Sequence, residues 1–209
     1  TVINATLERN PNLPPEAVED IIMGCGNPEG AQGHNVGRNA AVLSNLPITT
    51  GGTTINRYCS SGMQSISMAA SQIMAGCYDT VIAGGAETIS MMQGKQNMDN
   101  FVNERLAEKS PGIYYPMGMT AEVVAKRYNV SREAQDEYAF ESQMRTAAAQ
   151  QAGAYDDEII PMETKMLLMN KETGDSKEID YCVEKDECNR PETTLDLSLI
   201  HISEPTRPE

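Results

Sequence analysis

Tryptophan is absent from the 209 residues, and phenylalanine and histidine occur twice each. A core without large aromatics must be filled by aliphatic side chains and by the 13 methionines, whose unbranched chains adapt to irregular space. Basic residues are scarce as well: 16 Lys and Arg against 30 Asp and Glu give a formal net charge of −14. Duplex binding wants concentrated Lys and Arg, so nucleic acid is not an expected partner. No apolar run is long enough to span a membrane. No secretory signal is read at the start, where Thr1 opens an ordinary polar-apolar segment. Cys-x-x-Cys pairs are missing too. The five cysteines (Cys25, Cys59, Cys77, Cys182, Cys188) are odd in number and irregularly spaced. That argues against a disulfide framework and for a reducing compartment, hence a cytoplasmic location. With only His34 and His201 to join Cys182 and Cys188, no metal site is expected.

What is present suits a folded protein. Hydrophobic residues are 40% and charged residues 22%, enough for a core in one fair-sized domain or two small ones. The acidity is uneven: residues 1–100 carry net −4 and residues 101–209 net −10. Val2, Ile3 and Leu7 have helical spacing over residues 2–9, and Pro14-Pro15 opens a short helical turn. Val18 to Cys25 reads as a strand, Asn35 to Leu43 as a helix with Val36, Ala40 and Leu43 on one face. Residues 53–58 are β-rich. Residues 62–75 read as a helix with Met63, Ile66, Ala70 and Ile73 in one stripe, ended by Gly76. Thr80 to Ala83 is a short strand stopped by Gly84-Gly85. Strand, helix, strand, helix, strand is the signature of an α/β layer with a parallel sheet.

The style changes near residue 92. Residues 93–116 are polar and irregular. Thr120 to Tyr128 is predicted helical, and Ser131 caps a second helix from Arg132 to Gln151, ended by Gly153. Residues 157–166 are predicted extended, and 170–196 form a charged, turn-rich surface excursion.

The segment with chemical content is Ile55 to Ile66, INRYCSSGMQSI. A strand runs through small residues into a helix, with Cys59 at the junction. A thiol there lies near unpaired N–H groups and the positive end of the helix dipole, which favours thiolate. A backbone N–H in the same turn could hold an oxyanion during acyl transfer. The alternative is that Cys59 is a small buried hydrophobe, as most free cysteines are.

Position by position this segment resembles the acyl-enzyme cysteine motif of the thiolase family, in Ile55, Asn56, Ser60, Ser61, Gly62, Ser65 and Ile66 around Cys59. The flanks agree: GNPEGAQGHNVGRNAA (26–41) before it and VIAGGAETIS (81–90) after it. Tyr115 to Glu122 (YPMGMTAE) is similar to the start of the family's loop domain, and DECNRPETTL (186–195) to a late part of it. The resemblance implies a layered α/β fold, incomplete here, with a partial N-terminal lobe over 1–92 and a mostly helical loop domain over 93–197. It implies acyl transfer between coenzyme A thioesters. Cys59 is the expected nucleophile, and Met117 is expected to line the acyl and pantetheine channel. Gly84 and Gly85 are expected to let backbone pack close to the catalytic turn. Coenzyme A enters as substrate, and no cofactor is implied. Homodimers or homotetramers are the family expectation.

The departures carry equal weight. The family's Gly-His-Pro histidine, Asn-Glu-Ala-Phe motif and Cys-x-Gly cysteine do not occur in these 209 residues. A thiolase is about twofold longer by resemblance, and its first strand would precede Thr1. Residues 198–209 match no thiolase pattern and read as adapter-derived sequence joined to a truncated gene, so His201 is given no role. His34 is expected to be an ordinary solvent-facing residue, and Cys25 and Cys77 core or helix-end residues. The chain is therefore expected to be an N-terminal fragment, inactive alone, of an enzyme that cleaves 3-ketoacyl-CoA or runs the reverse condensation. Three other readings stand beside it: an acetoacetyl-CoA-forming biosynthetic thiolase, a ketoacyl synthase of the same superfamily, and a non-catalytic CoA-binding or dimerisation module.

Overall fold

The computed structural model describes residues 1–170 and 173–195. The chain divides into two compact units, the first Thr1–Asp99 and the second beginning at Asn100.

The first unit is built on a parallel sheet of β1 (Asp20–Gly24), β2 (Thr53–Ile55) and β3 (Val81–Gly85) in the order β2-β1-β3. Gly24 stands opposite Ile55 on one side and Gly85 on the other, so the three strands end in one row. Parallel neighbours need long crossovers, and the helices supply them. These are α2 (Val36–Leu43) between β1 and β2, and α3 (Ser61–Met74) between β2 and β3. Helix α1 (Val2–Glu8) and a 3-10 turn at Pro15–Ala17 precede the sheet. The buried cluster is Leu7, Val18, Ile21, Ala41 and Leu46, with Ile3, Leu13, Met23 and Ile82 packed against it.

Both crossover helices correct the sequence reading of their faces. In α3 the expected apolar stripe is turned outward: Met63, Ile66 and Ile73 are 76%, 58% and 43% exposed. The face on the sheet is Ser61, Ser65 and Ala69. In α2 the buried residues are Gly37 and Ala41, while Leu43 is 85% exposed. The reason is spacing. A β-carbon on Gly37 would lie 2.3 Å from the Thr53 carbonyl oxygen, so only small residues let these helices lie so close to the strands. Ser65 satisfies its buried hydroxyl at 2.7 Å from the carbonyls of Gly62 and Gly84, which removes the cost of placing it there.

Asn35 caps α2 and does more than cap. Its Oδ1 accepts from the Arg38 N–H (3.1 Å) and the Thr54 hydroxyl (2.7 Å), and its amide donates to the Gly52 carbonyl (2.9 Å). Asn35→Ala is expected to lower the unfolding free energy by about 2 kcal/mol, at the upper end for a lost cap. Urea unfolding checks this, and a loss within error of zero would count against the cap's importance. Helix α3 ends as its Gly76 predicts. Gly76 has φ +73°, and its N–H and that of Cys77 donate back to Ile73 and Gln72, the double closure of a Schellman motif.

The second unit contains α5 (Glu104–Lys109), α6 (Met117–Tyr128), α7 (Arg132–Gln151) and a hairpin of β4 (Met162–Met169) and β5 (Ser176–Val183). A one-turn helix α4 (Ile89–Met92) follows β3 in the first unit. Helix α7 has the predicted bounds, with the Ser131 hydroxyl accepting from the Ala134 N–H and Gly153 at φ +68° after its end. Helix α6 begins three residues before the expected start. The expected extended segment 157–166 is displaced, its strand being Met162–Met169. Within the expected excursion 170–196, Ser176–Val183 is a full strand, antiparallel to β4 from Met162↔Val183 to Met169↔Ser176. Ile179, Tyr181 and Val183 alternate with Glu178, Asp180 and Cys182, the period of a strand. Lys165 on β4 stands across from Asp180 at 2.8 Å. The segment after β5 is tied to α7: Arg190 N–H donates to Gln143 (2.8 Å) and Gln150 donates to the Asp186 carbonyl (2.9 Å). Residues 198–209, including His201, lie outside the described residues.

Candidate active site

Cys59 lies four residues beyond the end of β2 and two before the start of α3, and it is exposed. The turn that presents it is held by side chains of its own segment. Tyr58 takes a left-handed conformation, φ +49°, uncommon for a bulky residue. Its N–H donates to Asn56 Oδ1 (2.8 Å), and its carbonyl accepts from the Ser61 hydroxyl (2.6 Å) and the Ser61 N–H (3.0 Å). The Ser61 hydroxyl also accepts from the Arg57 N–H (2.9 Å). Asn56 and Ser61 thus lock Arg57 and Tyr58, the two residues before the thiol.

The floor is set by the sheet. A β-carbon on Gly24 would lie 2.3 Å from the Ser61 carbonyl carbon and 2.6 Å from the Gly62 nitrogen. A glycine at the end of β1 is therefore what lets the first turn of α3 sit on the strand ends. Gly85 assists, since its β-carbon would meet the Gly24 oxygen at 3.3 Å and the Gly62 α-carbon at 3.4 Å. At Gly84 a β-carbon would make only an ordinary 3.6 Å contact with Met23. Of the glycines the sequence pointed to, Gly85 makes the close approach. Gly24, which the sequence reading did not single out, makes the tightest approach to this turn.

Over this floor is a cavity of about 470 Å³, lined in part by Gly24, Gly26, Cys59, Gly62 and Glu87. It opens at the carboxyl ends of β1 and β3, the end of a parallel sheet outside which α/β proteins bind ligands. Glu87 is the second feature the sequence did not single out. One carboxylate oxygen accepts from the Gly26 N–H (2.6 Å) and the other from the Gln32 amide.

The other candidates fall elsewhere. Cys25 is buried, and burial pushes its thiol up from the ordinary value, with the nearby Glu87 charge adding to the rise. Cys77 is exposed beyond the end of α3. His34 is exposed in the loop before α2, with φ +62°. Met117 belongs to the second unit, where it opens α6 with its side chain exposed. Among the described residues no three His, Cys, Asp or Glu side chains gather where a metal could be held, and no helix is long and apolar enough to cross a membrane. Iodoacetamide is expected to label Cys59 and Cys77 in the native chain and Cys25 only after unfolding. Peptide mass spectrometry reads this, and native labelling of Cys25 at the rate of Cys59 would contradict its burial.

The profile of the thiolase N-terminal domain matches residues 1–201. This chain belongs to the thiolase family. It is 46% identical over 182 residues to a 3-ketoacyl-CoA thiolase of Bacillus subtilis (strain 168), covering 86% of this chain and 46% of that one. It is 41% identical over 207 residues to the 3-oxoadipyl-CoA/3-oxo-5,6-dehydrosuberyl-CoA thiolase of Escherichia coli (strain K12), covering 91% and 49%. An acetyl-CoA acetyltransferase of Chromobacterium violaceum is 41% identical over 175 residues, covering 78% and 44%. The chain spans about half the length of the curated relatives it matches. The thiolase N-terminal fold accounts for the parallel sheet and crossover helices described above.

Proposed function

We propose that this chain carries the nucleophile of a thiolase-type acyltransferase acting on coenzyme A thioesters, with Cys59 as the acyl acceptor. One observation supports this above the others: an exposed thiol just ahead of the first turn of α3, lining the cavity at the strand ends. In the degradative direction Cys59 Sγ attacks the 3-keto carbon of a 3-ketoacyl-CoA. The bond between C2 and C3 breaks, and C2 takes a proton and leaves as acetyl-CoA. The shortened acyl group rests on Sγ as a thioester. Free CoA then attacks that thioester through its own sulfur and leaves as acyl-CoA, returning the thiol. This is covalent catalysis in two half-reactions. First-turn N–H groups of a helix have no helical acceptor and suit a developing oxyanion. The Gly62 amide is the candidate donor, because Gly62 lines the cavity.

Two proton transfers remain to be supplied. Glu87 is an acid group on the cavity wall, but both its oxygens already accept hydrogen bonds. By family resemblance the proton carriers are the Gly-His-Pro histidine and the Cys-x-Gly cysteine, neither found in these 209 residues. We therefore assign the chain alone little or no turnover. Met117 is assigned to the acyl and pantetheine channel, again by resemblance. CoA serves as substrate, without a resident cofactor, in a cytoplasmic homo-oligomer.

A CoA-release assay with acetyl-CoA tests the reading. Transfer to Cys59 forms one C–S bond, breaks one, and puts the thiol proton on CoA. The parent is expected to release about one CoA per chain, without further turnover, and Cys59→Ala none. Sustained release by the chain alone would contradict its assigned inactivity, and equal release by Cys59→Ala would remove Cys59 from the mechanism.

A further inference from the structure

We propose that Glu87 is a positioning residue for Cys59, acting through Gly26 and Asn56. This rests on the reading of Cys59 as the functional thiol. The link is a continuous chain of hydrogen bonds between the two loops that border the cavity. Glu87, just past β3, accepts from the Gly26 N–H at 2.6 Å and from the Gln32 amide. Gln32 is only 5% exposed, and its other amide contacts are fixed: it donates to the Asn27 carbonyl (2.8 Å) and accepts from the Thr88 N–H (2.7 Å). The Gly26 peptide continues the chain on its other side, because its carbonyl accepts from Asn56 Nδ2 (3.0 Å). The Asn56 Oδ1 then holds the Tyr58 N–H (2.8 Å), in the left-handed residue immediately before Cys59.

Each member has a reason to be what it is. A carboxylate is acceptor-only, so it can face two donors at once. An amide in its place would set N–H against N–H at either Gly26 or Gln32. A β-carbon on Gly26 would lie 2.8 Å from Glu87 Oε2, so a side chain there would push the carboxylate off its hydrogen bond. Gly26 and Gln32 are buried while Glu87 and Asn56 are exposed at the cavity rim; with every partner satisfied the network fixes one geometry, and it fails when one member is mismatched. Its far end is the turn that aims the thiol, so a mismatch at Glu87 is felt at Cys59 without touching it.

The test is alkylation of the full 209-residue chain by iodoacetamide at fixed pH, read as the rate at Cys59 relative to Cys77 in the same molecules. Cys77 lies beyond the far end of α3 and serves as the internal reference. E87Q is expected to lower that ratio by about threefold or more, through misalignment of the thiol with the helix N-terminus. The exchange E87Q/Q32E restores one amide-carboxylate hydrogen bond but sets a carboxylate oxygen against the Asn27 carbonyl, so it is expected to recover part, not all, of the lost ratio. A purely structural role would shift the melting temperature of E87Q and leave the ratio alone. An unchanged or raised ratio, or an exchange variant no better than E87Q, overturns the proposal. Should E87Q fail to fold, Q32M cuts the same chain from the other side and is expected to lower the ratio about twofold; no fall there overturns the proposal equally. Alkylation needs no acyl transfer. A chain that takes no acyl group yet shows this pattern refutes the functional reading and leaves the positioning role intact.

Discussion

Gly24→Ala is expected to destabilise the first unit by about 3 kcal/mol or more, while Gly62→Ala, in the turn packed on it, is expected to be neutral or to stabilise by up to about 1 kcal/mol. The contrast comes from geometry. At Gly24 the added carbon would lie 2.3 Å from backbone at Ser61. Backbone cannot yield as a flexible side chain does, so α3 must move off the strand ends. At Gly62 a β-carbon meets nothing within 4 Å, and alanine is the better helix former. The two variants differ only in where one methyl group points. Thermal unfolding reads them: a fall of at least about 10 °C for Gly24→Ala corresponds to a 3 kcal/mol loss in a unit this small. Equal stability of the two variants would mean that α3 does not rest on β1 as described.

The same close approach explains what could and could not be read in the sequence. The strand–helix alternation was legible because Val18 to Cys25 and Thr80 to Ala83 are apolar runs cut by glycine, and because Ser131 and Gly153 bracket α7 with unambiguous end signals. The helix faces were not legible. Periodicity reports where large apolar residues recur, and in α3 those are Met63, Ile66 and Ile73. The sheet, however, takes the stripe of least volume, Ser61, Ser65 and Ala69. A small residue scores as nothing in a hydrophobic pattern, although it is what close packing selects. Strand β5 was hidden differently. Lys177, Glu178 and Asp180 gave its segment the look of a solvated loop, and the alternation of Ile179, Tyr181 and Val183 beneath them was the overlooked signal.

The site divides along the same line. Cys59 stood out because a thiol at a strand-to-helix junction is rare and chemically useful. Gly24, Gln32 and Glu87 did not, because their roles depend on partners far away in the chain. Glu87 meets Gly26 across 61 residues and Gln32 across 55. No local spacing encodes those pairings. Only the parallel register, which sets Gly24 beside Gly85, brings the segments after β1 and β3 together around one cavity.

The second large effect is expected at the thiol itself. Cys59→Ala removes the atom on which the acyl group is proposed to rest, and loss should be complete rather than graded, because no nearby cysteine can replace it. Cys25 is the other cysteine close to the cavity wall, but it is buried, and burial holds its thiol in the protonated form. Fold stability should be nearly unaffected, since Cys59 is exposed. A variant that folds as the parent does and takes no acyl group separates chemistry from structure cleanly.

The most direct measurement is to incubate the chain with acetyl-CoA, quench in acid, and locate the acetyl group by peptide mass spectrometry. The account predicts an acetyl thioester on the peptide containing Cys59, removed by added CoA and absent from Cys59→Ala. Acetylation spread over Cys77 and Cys188 as heavily as Cys59, or an adduct that survives in Cys59→Ala, would contradict it.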